Sequence, residues 1–355
     1  MNENKRQKRK EEHIELALQS EHALTSDFDE LTFIHRSLPE AALQDIDLST
    51  SIGPLAMEFP LYINAMTGGS TKSEAINAAL AEAAKVAGIP MAVGSQHAGI
   101  RNAELANSYK IVRAINPNGL IFANVGADVP LEFARKAIDM LEADALQVHL
   151  NVPQELVMPE GERDFSGMLS KLEKLVSKLS VPLIVKETGF GMSLETIEQL
   201  KGIGIHYIDV GGRGGTNFVH IENERRSKKD FSYLKDWGHS TVISLLEAKS
   251  VSEGLTFMAS GGIRNPLDAA KCLSLGANAA GIAGPFLKIL HEFGTEGLIE
   301  ELEEWKQHLQ TIFLLLGVKS IHDLQNCPIV LGGKVKDWCE GRGIDILALA
   351  RRTIQ

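Results

Sequence analysis

Residues 256–285 read TFMASGGIRNPLDAAKCLSLGANAAGIAGP, which is the pattern of one unit of a parallel β-sheet. An apolar run, Thr256 to Ser260, leads into a glycine turn. The turn is followed by apolar residues at helical spacing over Pro266 to Leu275 and by a second apolar run, Ala279 to Ile282. A strand, a helix and a strand in this order predict a βαβ unit, because parallel neighbours need a crossover connection.

Short apolar runs of this kind occur eight times along the chain. They cover Leu61 to Asn64, Met91 to Val93, Leu120 to Asn124, Ala145 to Leu150, Leu183 to Lys186, Tyr207 to Val210, Thr256 to Ser260, and Ala279 to Ile282. Helical spacing is found between them at Ser73 to Val86, Leu131 to Leu141, Phe165 to Leu179, Leu194 to Leu200, Val242 to Val251, and Pro266 to Leu275. Eight alternating units favour an α/β fold of the (β/α)8 TIM-barrel type, because the last strand can pair with the first and leave no edge.

This barrel leaves sequence at both ends of the chain. We expect residues 1–58 to form an N-terminal extension and residues 59–355 to form the barrel with C-terminal helices. One wide gap, between Tyr207 and Thr256, contains the charged run ENERRSKKD over Glu222 to Asp230. We expect a mobile loop there, and whether such a loop acts as a lid is left open.

Composition indicates an ordinary globular protein. Hydrophobic residues make up 44% of the 355 residues, and 32 glycines accompany 12 prolines, so collagen-like, disordered and disulfide-scaffold classes are excluded. Five of the 36 bases and one of the 46 acids lie in the first ten residues, so the remaining chain carries 31 bases against 45 acids. An acidic body argues against a broad nucleic-acid surface.

The basic head, which includes Arg9 and Lys10, has two interpretations at this point. It is either a solvated, disordered terminus or an arm that reaches a phosphate group.

The N-terminus lacks the apolar core of a signal peptide, and no run approaches the roughly 20 apolar residues that span a bilayer. Three cysteines without metal or disulfide spacing also suit a reducing compartment. We therefore expect a cytoplasmic protein.

Glycines follow the last two predicted strands, at the barrel face where function gathers. Gly261 and Gly262 follow Ser260, and Gly284 follows the eighth strand. Glycine lets backbone N–H groups approach an anion without a Cβ in the way, and the following helix turns its positive end to the same place. This arrangement predicts a bound phosphate.

Lys186 ends an otherwise apolar predicted strand, and a lysine is expensive to bury without an anionic partner. One interpretation is an ion pair, for example with Glu187. The other places the ammonium against a delocalised anion such as the N1–C2=O edge of a reduced flavin. Small polar residues end three other strands, at Thr67, Ser95 and Asn124. Together these residues favour FMN across the barrel mouth.

Residues 149–155 read HLNVPQE and gather more polarity than packing needs. A lone histidine such as His149 is structural as often as it is functional. Mg²⁺ prefers one or two carboxylates together with phosphate oxygens and water, so one acid among amides suits a cation shared with a diphosphate. Glu155 is the acid of this cluster and the predicted ligand.

Taken in order, these residues resemble the type 2 isopentenyl diphosphate isomerase family, FMN-dependent enzymes that interconvert isopentenyl and dimethylallyl diphosphate. The resemblance covers nearly the whole chain, and the HLNVPQE stretch is its most specific part. It rests on Arg9 to Ile14, Ala65 to Gly69, Gly94 to Gln96, His149 to Glu155, Lys186 and Glu187, Gly214 to Asn217, and Ser260 to Gly262.

The resemblance implies roles position by position. FMN contacts are implied for Ala65, Met66, Thr67, Ser95, Asn124, Lys186, Thr216, Gly261, Gly262, Arg264, Ala283 and Gly284. Substrate contacts are implied for Arg9, Lys10, His13, His149, Asn151 and Gln154. Catalytic participation is implied for Gln154, Lys186 and His149, and Mg²⁺ binding for Glu155. The barrel of residues 59–355 is then the FMN-binding part, and the extension of residues 1–58 carries the substrate-binding arm.

The implied reaction is a redox-neutral 1,3-allylic proton transfer in isoprenoid biosynthesis. A reduced flavin can stabilise the positive charge that develops on the alkene, so FMN would first be reduced by NADPH or NADH. The resemblance also implies a homo-oligomer, a tetramer or octamer, and no nucleic-acid or membrane partner.

Two other classes of protein share part of this pattern. An FMN-dependent 2-hydroxy-acid oxidase or dehydrogenase would need a histidine base after the sixth strand. The chain reads VGGRGG over residues 210–215, without a histidine. A non-catalytic flavin- or phosphate-binding protein gains little support, because Lys186, Gln154 and Glu155 are all present.

Overall fold

Glu12 and residues 26–354 are described in this computed structural model. The strands of this part are β1 (Leu31–Phe33), β2 (Thr50–Ile52), β3 (Leu55–Met57), β4 (Leu61–Ile63), β5 (Met91–Ala92), β6 (Ile121–Gly126), β7 (Ala145–Leu150), β8 (Leu183–Glu187), β9 (Tyr207–Asp209), β10 (Thr256–Ser260), β11 (Ala277–Ile282) and β12 (Ile329–Leu331). Its helices are α1 (Thr71–Ala87), α2 (His97–Arg101), α3 (Asn107–Ile115), α4 (Leu131–Leu141), α5 (Val152–Val157), α6 (Met168–Val176), α7 (Leu194–Gly202), α8 (Phe218–Glu224), α9 (Thr241–Ala248), α10 (Pro266–Ser274), α11 (Gly284–Leu316), α12 (Ile321–Gln325), α13 (Gly333–Arg342) and α14 (Ile346–Ala350).

Strands β4 to β11 form a closed barrel in which neighbouring strands are parallel. The ring closes where β11 pairs with β4 and Ala280 lies beside Leu61. The predicted (β/α)8 barrel is confirmed, and each of the eight predicted strands agrees with the observed one to within two residues at either end. The strands were predictable because each is buried on both faces and therefore reads as a short apolar run.

The lower interior of the barrel is filled by apolar side chains. They come from alternate positions of the strands and include Tyr62, Phe122, Ala145, Ile184 and Met258. The β2–β3 hairpin closes the N-terminal end of the barrel, because Ile52 and Met57 join this cluster and the Thr50 hydroxyl donates to Asn278 O at 3.0 Å. The barrel is therefore a packed core below its C-terminal face.

Two positions further along the same strands, the interior side chains become polar. This polar layer consists of Asn124, Gln147, Lys186, Asp209 and Ser260, all of them buried. Successive residues of a strand point to opposite faces, so a polar residue two places after a core residue must also point inward. The layer forms the floor of the C-terminal face.

The N-terminal extension packs against the C-terminal part of the chain. Strand β1 pairs antiparallel with β12, and Leu31 lies beside Leu331. The Lys271 ammonium of α10 donates to Phe28 O at 2.7 Å. The predicted division into residues 1–58 and 59–355 stays a prediction.

The expected loop over Glu222 to Asp230 is wrong for its first three residues. Helix α8 continues to Glu224, and Glu222 is fully buried. The helix packs through Val219 on Val157 of α5, which turns one side of the charged run inward. A stretch that is polar in composition thus has a buried face, because its position on the barrel, and not its charge, decides what it contacts.

Candidate functional site

A cavity of about 830 Å³ lies at the C-terminal ends of the barrel strands. Residues that follow each of the eight strands line it. The predicted site residues among its lining are Ala65, Met66, Thr67, Ser95, Asn124, His149, Asn151, Gln154, Glu155, Lys186, Thr216, Gly261, Gly262, Ala283 and Gly284. The fold thus brings together groups that lie more than two hundred residues apart in the sequence.

Glycines form one wall of the cavity where β9, β10 and β11 end. Gly261 and Gly262 have positive φ angles of +94° and +72°. A Cβ on Gly215 would lie 3.0 Å from Gly262 N, whereas a Cβ on Gly284, the first residue of α11, would meet nothing within 4 Å. The wall is therefore tight at its backbone and open toward the cavity, which suits an anion approaching N–H groups at a helix N-terminus.

Arg264 does not line the cavity, so its predicted contact with FMN is not supported. Its Nε donates to Asp268 Oδ2 at 2.8 Å, and its second terminal nitrogen donates to Asp29 Oδ1 at 2.5 Å. The side chain is held by a carboxylate of α10 and by one of the N-terminal extension. Its ion pairs raise the pKa of this guanidinium further above its already high value.

Lys186 lies on the floor of the cavity with Asp209 as its charge partner. The two side chains are 3.3 Å apart, Nζ to Oδ2, and Lys186 Nζ also donates to Ser260 Oγ at 3.1 Å. The Glu187 carboxylate instead accepts the backbone N–H of Gly189 at 2.8 Å and that of Phe190. Burial raises the pKa of Glu187 to about 8. The ion-pair partner of Lys186 is therefore Asp209 on the next strand, β9, and not the suggested Glu187.

Several polar side chains of the wall are engaged with each other. The Thr67 hydroxyl donates to Asn77 Oδ1 at 2.7 Å, and Asn124 Nδ2 donates to Gln147 Oε1 at 3.3 Å. Asn124 Oδ1 can only accept, so His149 Nδ1 donates to it across 2.7 Å. These bonds fix the orientation of His149 and join it to Asn124 and Gln147 of the polar layer.

A second network runs along α5. Asn151 occupies the N-cap position of this helix, and the residues three and four positions further on lie on the same face. Asn151 Nδ2 donates to Gln154 Oε1 at 3.3 Å and to Glu155 Oε1 at 2.9 Å, while Gln154 Nε2 donates to Glu222 Oε1 at 3.3 Å. Both hydrogen-bonding groups of the Gln154 amide are thereby oriented at the cavity wall.

Glu222 belongs to a cluster of charges around Arg225. The guanidinium pairs with Glu12 through Nε at 3.2 Å, with Glu160 at 3.2 Å, and with Glu222. Glu160 lines the cavity, and Glu12 belongs to the N-terminal extension. Three carboxylates around one guanidinium give this cluster of described residues a net negative charge.

Comparison with known proteins identifies the family. A family model described as FMN-dependent dehydrogenase matches residues 96–330. Isopentenyl-diphosphate delta-isomerase of Staphylococcus saprophyticus is 51% identical over 346 residues, which cover 98% of this chain and all of that protein. The Staphylococcus aureus (strain JH9) protein of the same name is 48% identical over 98% of this chain and 99% of its own length. The chain belongs to the FMN-dependent isopentenyl-diphosphate delta-isomerase family.

Solved structures agree with this family at the level of the fold. A mandelate oxidase mutant with a monooxide FMN adduct has a TM-score of 0.63 and 19% identity over 90% of this chain and 92% of that one. A flavocytochrome b2 mutant with pyruvate bound has a TM-score of 0.69 and 19% identity over 92% and 84% of the two chains. At this identity the likeness shows the barrel alone.

Three residues that the family resemblance singles out, Arg9, Lys10 and His13, lie outside the described residues. Glu12 is described, and its carboxylate contacts Arg225 at the edge of the cavity. No helix of the described part of the chain is long and apolar enough to cross a membrane.

Asp209, Glu222 and Arg225 are site residues that the sequence did not predict. Asp209 could have been found by the argument used for Lys186, since it is an acid within the apolar run Tyr207 to Val210. Glu222 had a weaker signal. Asn217 accepts from His220 N and caps α8, so the sequence contained a helix start just before the charged run.

Proposed function

We propose that the protein is an isopentenyl-diphosphate delta-isomerase that interconverts isopentenyl and dimethylallyl diphosphate with FMN and Mg²⁺. The observation that carries the proposal is identity of about half over nearly the full length of relatives with that name. The cavity supports it, because a phosphate-type glycine wall, a lysine floor and an amide–carboxylate network meet there.

The residues present fit FMN. The glycine wall of Gly261, Gly262 and Gly284 would hold the phosphate, since its backbone is open to the cavity. Lys186 would contact the ring from the floor, and Ala65, Met66, Ser95 and Thr216 would line its edges. When reduced by NADPH or NADH, FMN would supply an electron-rich ring that stabilises positive charge on the alkene.

The residues also fit a magnesium ion that is shared with substrate. Among the described residues no group of three or more His, Cys, Asp or Glu side chains could hold a metal. Glu155 would supply one carboxylate, and the diphosphate and water the other ligands, as Mg²⁺ prefers. Asn151 orients Glu155 through a 2.9 Å hydrogen bond.

The remaining residues would position the isoprene unit and its protons. Apolar side chains face the cavity from several loops, namely Met66, Leu105, Met158, Phe218 and Leu287. Gln154, oriented by Asn151 and Glu222, would face the reacting carbons and relay or orient a proton. His149 would contact the diphosphate or a metal-bound water through Nε2, which accepts in the neutral ring and donates once the ring is protonated.

The test is an isomerase assay. Purified protein that carries FMN is reduced anaerobically and incubated with isopentenyl diphosphate and Mg²⁺, and formation of dimethylallyl diphosphate is measured. A parallel incubation with lactate or glycolate and oxygen tests the oxidase alternative. Oxidase turnover without isomerisation would overturn the proposal.

The loop after β9 gives the oxidase alternative no histidine base. Residues after β9 that line it are Gly211, Gly212, Gly215, Thr216 and Phe218, so within the described chain this loop brings no histidine to the cavity. A 2-hydroxy-acid oxidase would need such a base to take the hydroxyl proton.

Glu155→Gln should reduce activity at low Mg²⁺ concentration and recover part of it at high concentration, because a neutral amide is a weaker magnesium ligand than a carboxylate. We expect the apparent magnesium affinity to fall by about tenfold or more, since replacement of this ligand removes a charge from the site. Activity is measured across a magnesium titration. Glu162→Gln, at a neighbouring cavity residue, is the matched control. An unchanged magnesium dependence in Glu155→Gln would refute the metal assignment.

Arg9→Ala should raise KM for isopentenyl diphosphate, or abolish turnover, without releasing FMN. The reason is that the guanidinium would contact the substrate diphosphate rather than the flavin, and one charged hydrogen bond is worth about 1.5–3 kcal/mol. Steady-state kinetics and the flavin spectrum are measured together. Lys5→Ala, nearer the N-terminus in the same basic head, serves as the control and should behave as wild type. Loss of flavin from Arg9→Ala would assign the head a structural role.

The proposal includes a cytoplasmic homo-oligomer that acts in isoprenoid biosynthesis. The acidic body of the chain suits a protein without nucleic-acid partners. Light scattering of the purified protein measures the oligomeric state, and a monomer would overturn that part.

A further inference from the structure

The ammonium of Lys186 is fixed by three partners on the floor of the cavity. Its Nζ donates to Glu187 O at 2.8 Å and to Ser260 Oγ at 3.1 Å, and Asp209 Oδ2 lies 3.3 Å away. The residue is only 7% exposed. A lysine this buried keeps its charge only if a counter-charge compensates the lost hydration.

Asp209 is itself held by donors on every side. Its Oδ2 accepts the Tyr62 hydroxyl at 2.7 Å, and its Oδ1 accepts the Ser260 hydroxyl at 2.7 Å and Gly211 N at 3.1 Å. Burial raises the pKa of Tyr62 well above its ordinary value, so the phenol stays a donor. Hydrogen bonds to a carboxylate favour its charged form. Three donors therefore hold the Asp209 carboxylate in place beside Lys186 at the centre of the floor.

The other titratable groups around Lys186 do not take this role. Glu187 lies next to it in the chain, but its carboxylate accepts two backbone N–H groups, and burial raises the pKa of that carboxyl to about 8. His149 lies opposite Lys186 on β7 and is bonded to Asn124. Tyr62 of β4 contacts Asp209 and not the ammonium. Within the described residues, the ion pair of Lys186 is with Asp209.

We propose that Asp209 is a positioning residue for the flavin site, which keeps Lys186 protonated and in place whether bound FMN is oxidised or reduced. This inference rests on the FMN binding of the proposed function. Its physical content is that the pair Asp209–Lys186 is neutral as a unit, so reduction of the flavin need not be accompanied by uptake of a proton at Lys186.

Removal of the Asp209 carboxylate should change the number of protons that the protein takes up when the flavin is reduced. In Asp209→Asn, Lys186 would be buried without a counter-charge beside the neutral oxidised ring, so it would lose its proton. Two-electron reduction, which makes the ring an anion, would restore the counter-charge and draw a second proton to Lys186. One proton per two electrons corresponds to about 30 mV per pH unit, because a tenfold change in a two-electron equilibrium is that size.

The experiment measures the midpoint potential of the holoenzyme from pH 7 to 8.5 by equilibration with a redox dye during slow anaerobic reduction. The midpoint potential of the wild-type protein should fall by about 30 mV per pH unit, because one proton is taken up at the ring. The midpoint potential of Asp209→Asn should fall by about 60 mV per pH unit. The double variant Lys186→Met with Asp209→Asn should return to the wild-type slope. The Lys186 charge also affects the Glu187 carboxyl, whose pKa burial raises to about 8, so each slope is measured with and without Glu187→Gln and the slopes with Glu187→Gln are compared.

Two further variants separate the charge from its hydrogen bonds. Tyr62→Phe and Ser260→Ala each remove a donor to Asp209 but keep its carboxylate, so both should retain the wild-type slope. Equal slopes in wild type and Asp209→Asn would overturn the inference. If Asp209→Asn does not fold, the wild-type slope decides, because a value near 60 mV per pH unit would mean that Lys186 already gains a proton on reduction. The isomerase assay tests the proposed function separately, since its result does not depend on these slopes.

Discussion

Gly261→Ala should yield protein that no longer retains FMN. Gly261 has a φ of +94°, and a Cβ built on it would lie 1.9 Å from Gly212 O. Because that oxygen belongs to backbone, the ends of β9 and β10 must move apart, and the glycine wall is built on them. We expect FMN affinity to fall by about 100-fold or more, equivalent to roughly 2.7 kcal/mol. Flavin content after gel filtration and the thermal midpoint measure the effect.

Gly254→Ala is the matched control for this prediction. Gly254 also has a positive φ, +76°, but a Cβ there would meet nothing within 4 Å. It therefore carries the left-handed strain of about 1–2 kcal/mol without the collision. If both variants lost stability equally and both retained FMN, the steric argument for the wall would be wrong.

Glu222→Gln should lower kcat about 100-fold while FMN stays bound. Glu222 is fully buried, accepts from Gln154 Nε2, and belongs to the cluster in which Arg225 pairs with three carboxylates. Its negative charge lies beside the amide that would face the reacting carbons, where positive charge develops. Loss of one preorganised electrostatic contact to a transition state costs about 10²–10³ in rate.

Glu224→Gln is the control for Glu222→Gln on the same helix. Glu224 pairs with Lys229 at the surface, and such pairs contribute about 0–1 kcal/mol. The Glu224 variant should keep wild-type kcat and KM. A kcat for Glu222→Gln within about threefold of wild type, with the isomerase activity otherwise established, would remove Glu222 from the proposed mechanism.

The barrel was predictable because each strand is short, apolar and buried on both faces, and because glycine or a polar residue ends it. The glycine wall was also predictable, since Gly261, Gly262 and Gly284 follow the last two strands. The partner of Lys186 was harder to find. Two neighbours in space, Glu187 and Asp209, were both available acids, and the sequence alone favours the nearer one. The strand pairing decides, because Lys186 lies beside Asp209 on β9.

Two other positions depend on contacts that the sequence does not show. The family resemblance implies an FMN contact for Arg264, which stays a prediction, and the structure shows Asp29 and Asp268 holding this side chain. Glu222 was assigned to a mobile loop because its neighbours are charged. Composition averages over both sides of a helix, whereas burial depends on which side contacts the barrel. The composition of a charged run therefore cannot show that one of its acids faces inward.

The pairing of β1 with β12 bears on how the protein is made. Leu31 lies beside Leu331, so this small sheet cannot form until nearly the whole chain has left the ribosome. The β2–β3 hairpin contacts β11 through Asn278, so this hairpin also cannot pack in place until β11 has been synthesised. Contacts between distant parts of a chain form slowly, because the loop between them must first be closed. During synthesis, the segment that closes the barrel from below therefore remains without its partners, and chains that end prematurely expose it to chaperones and proteases.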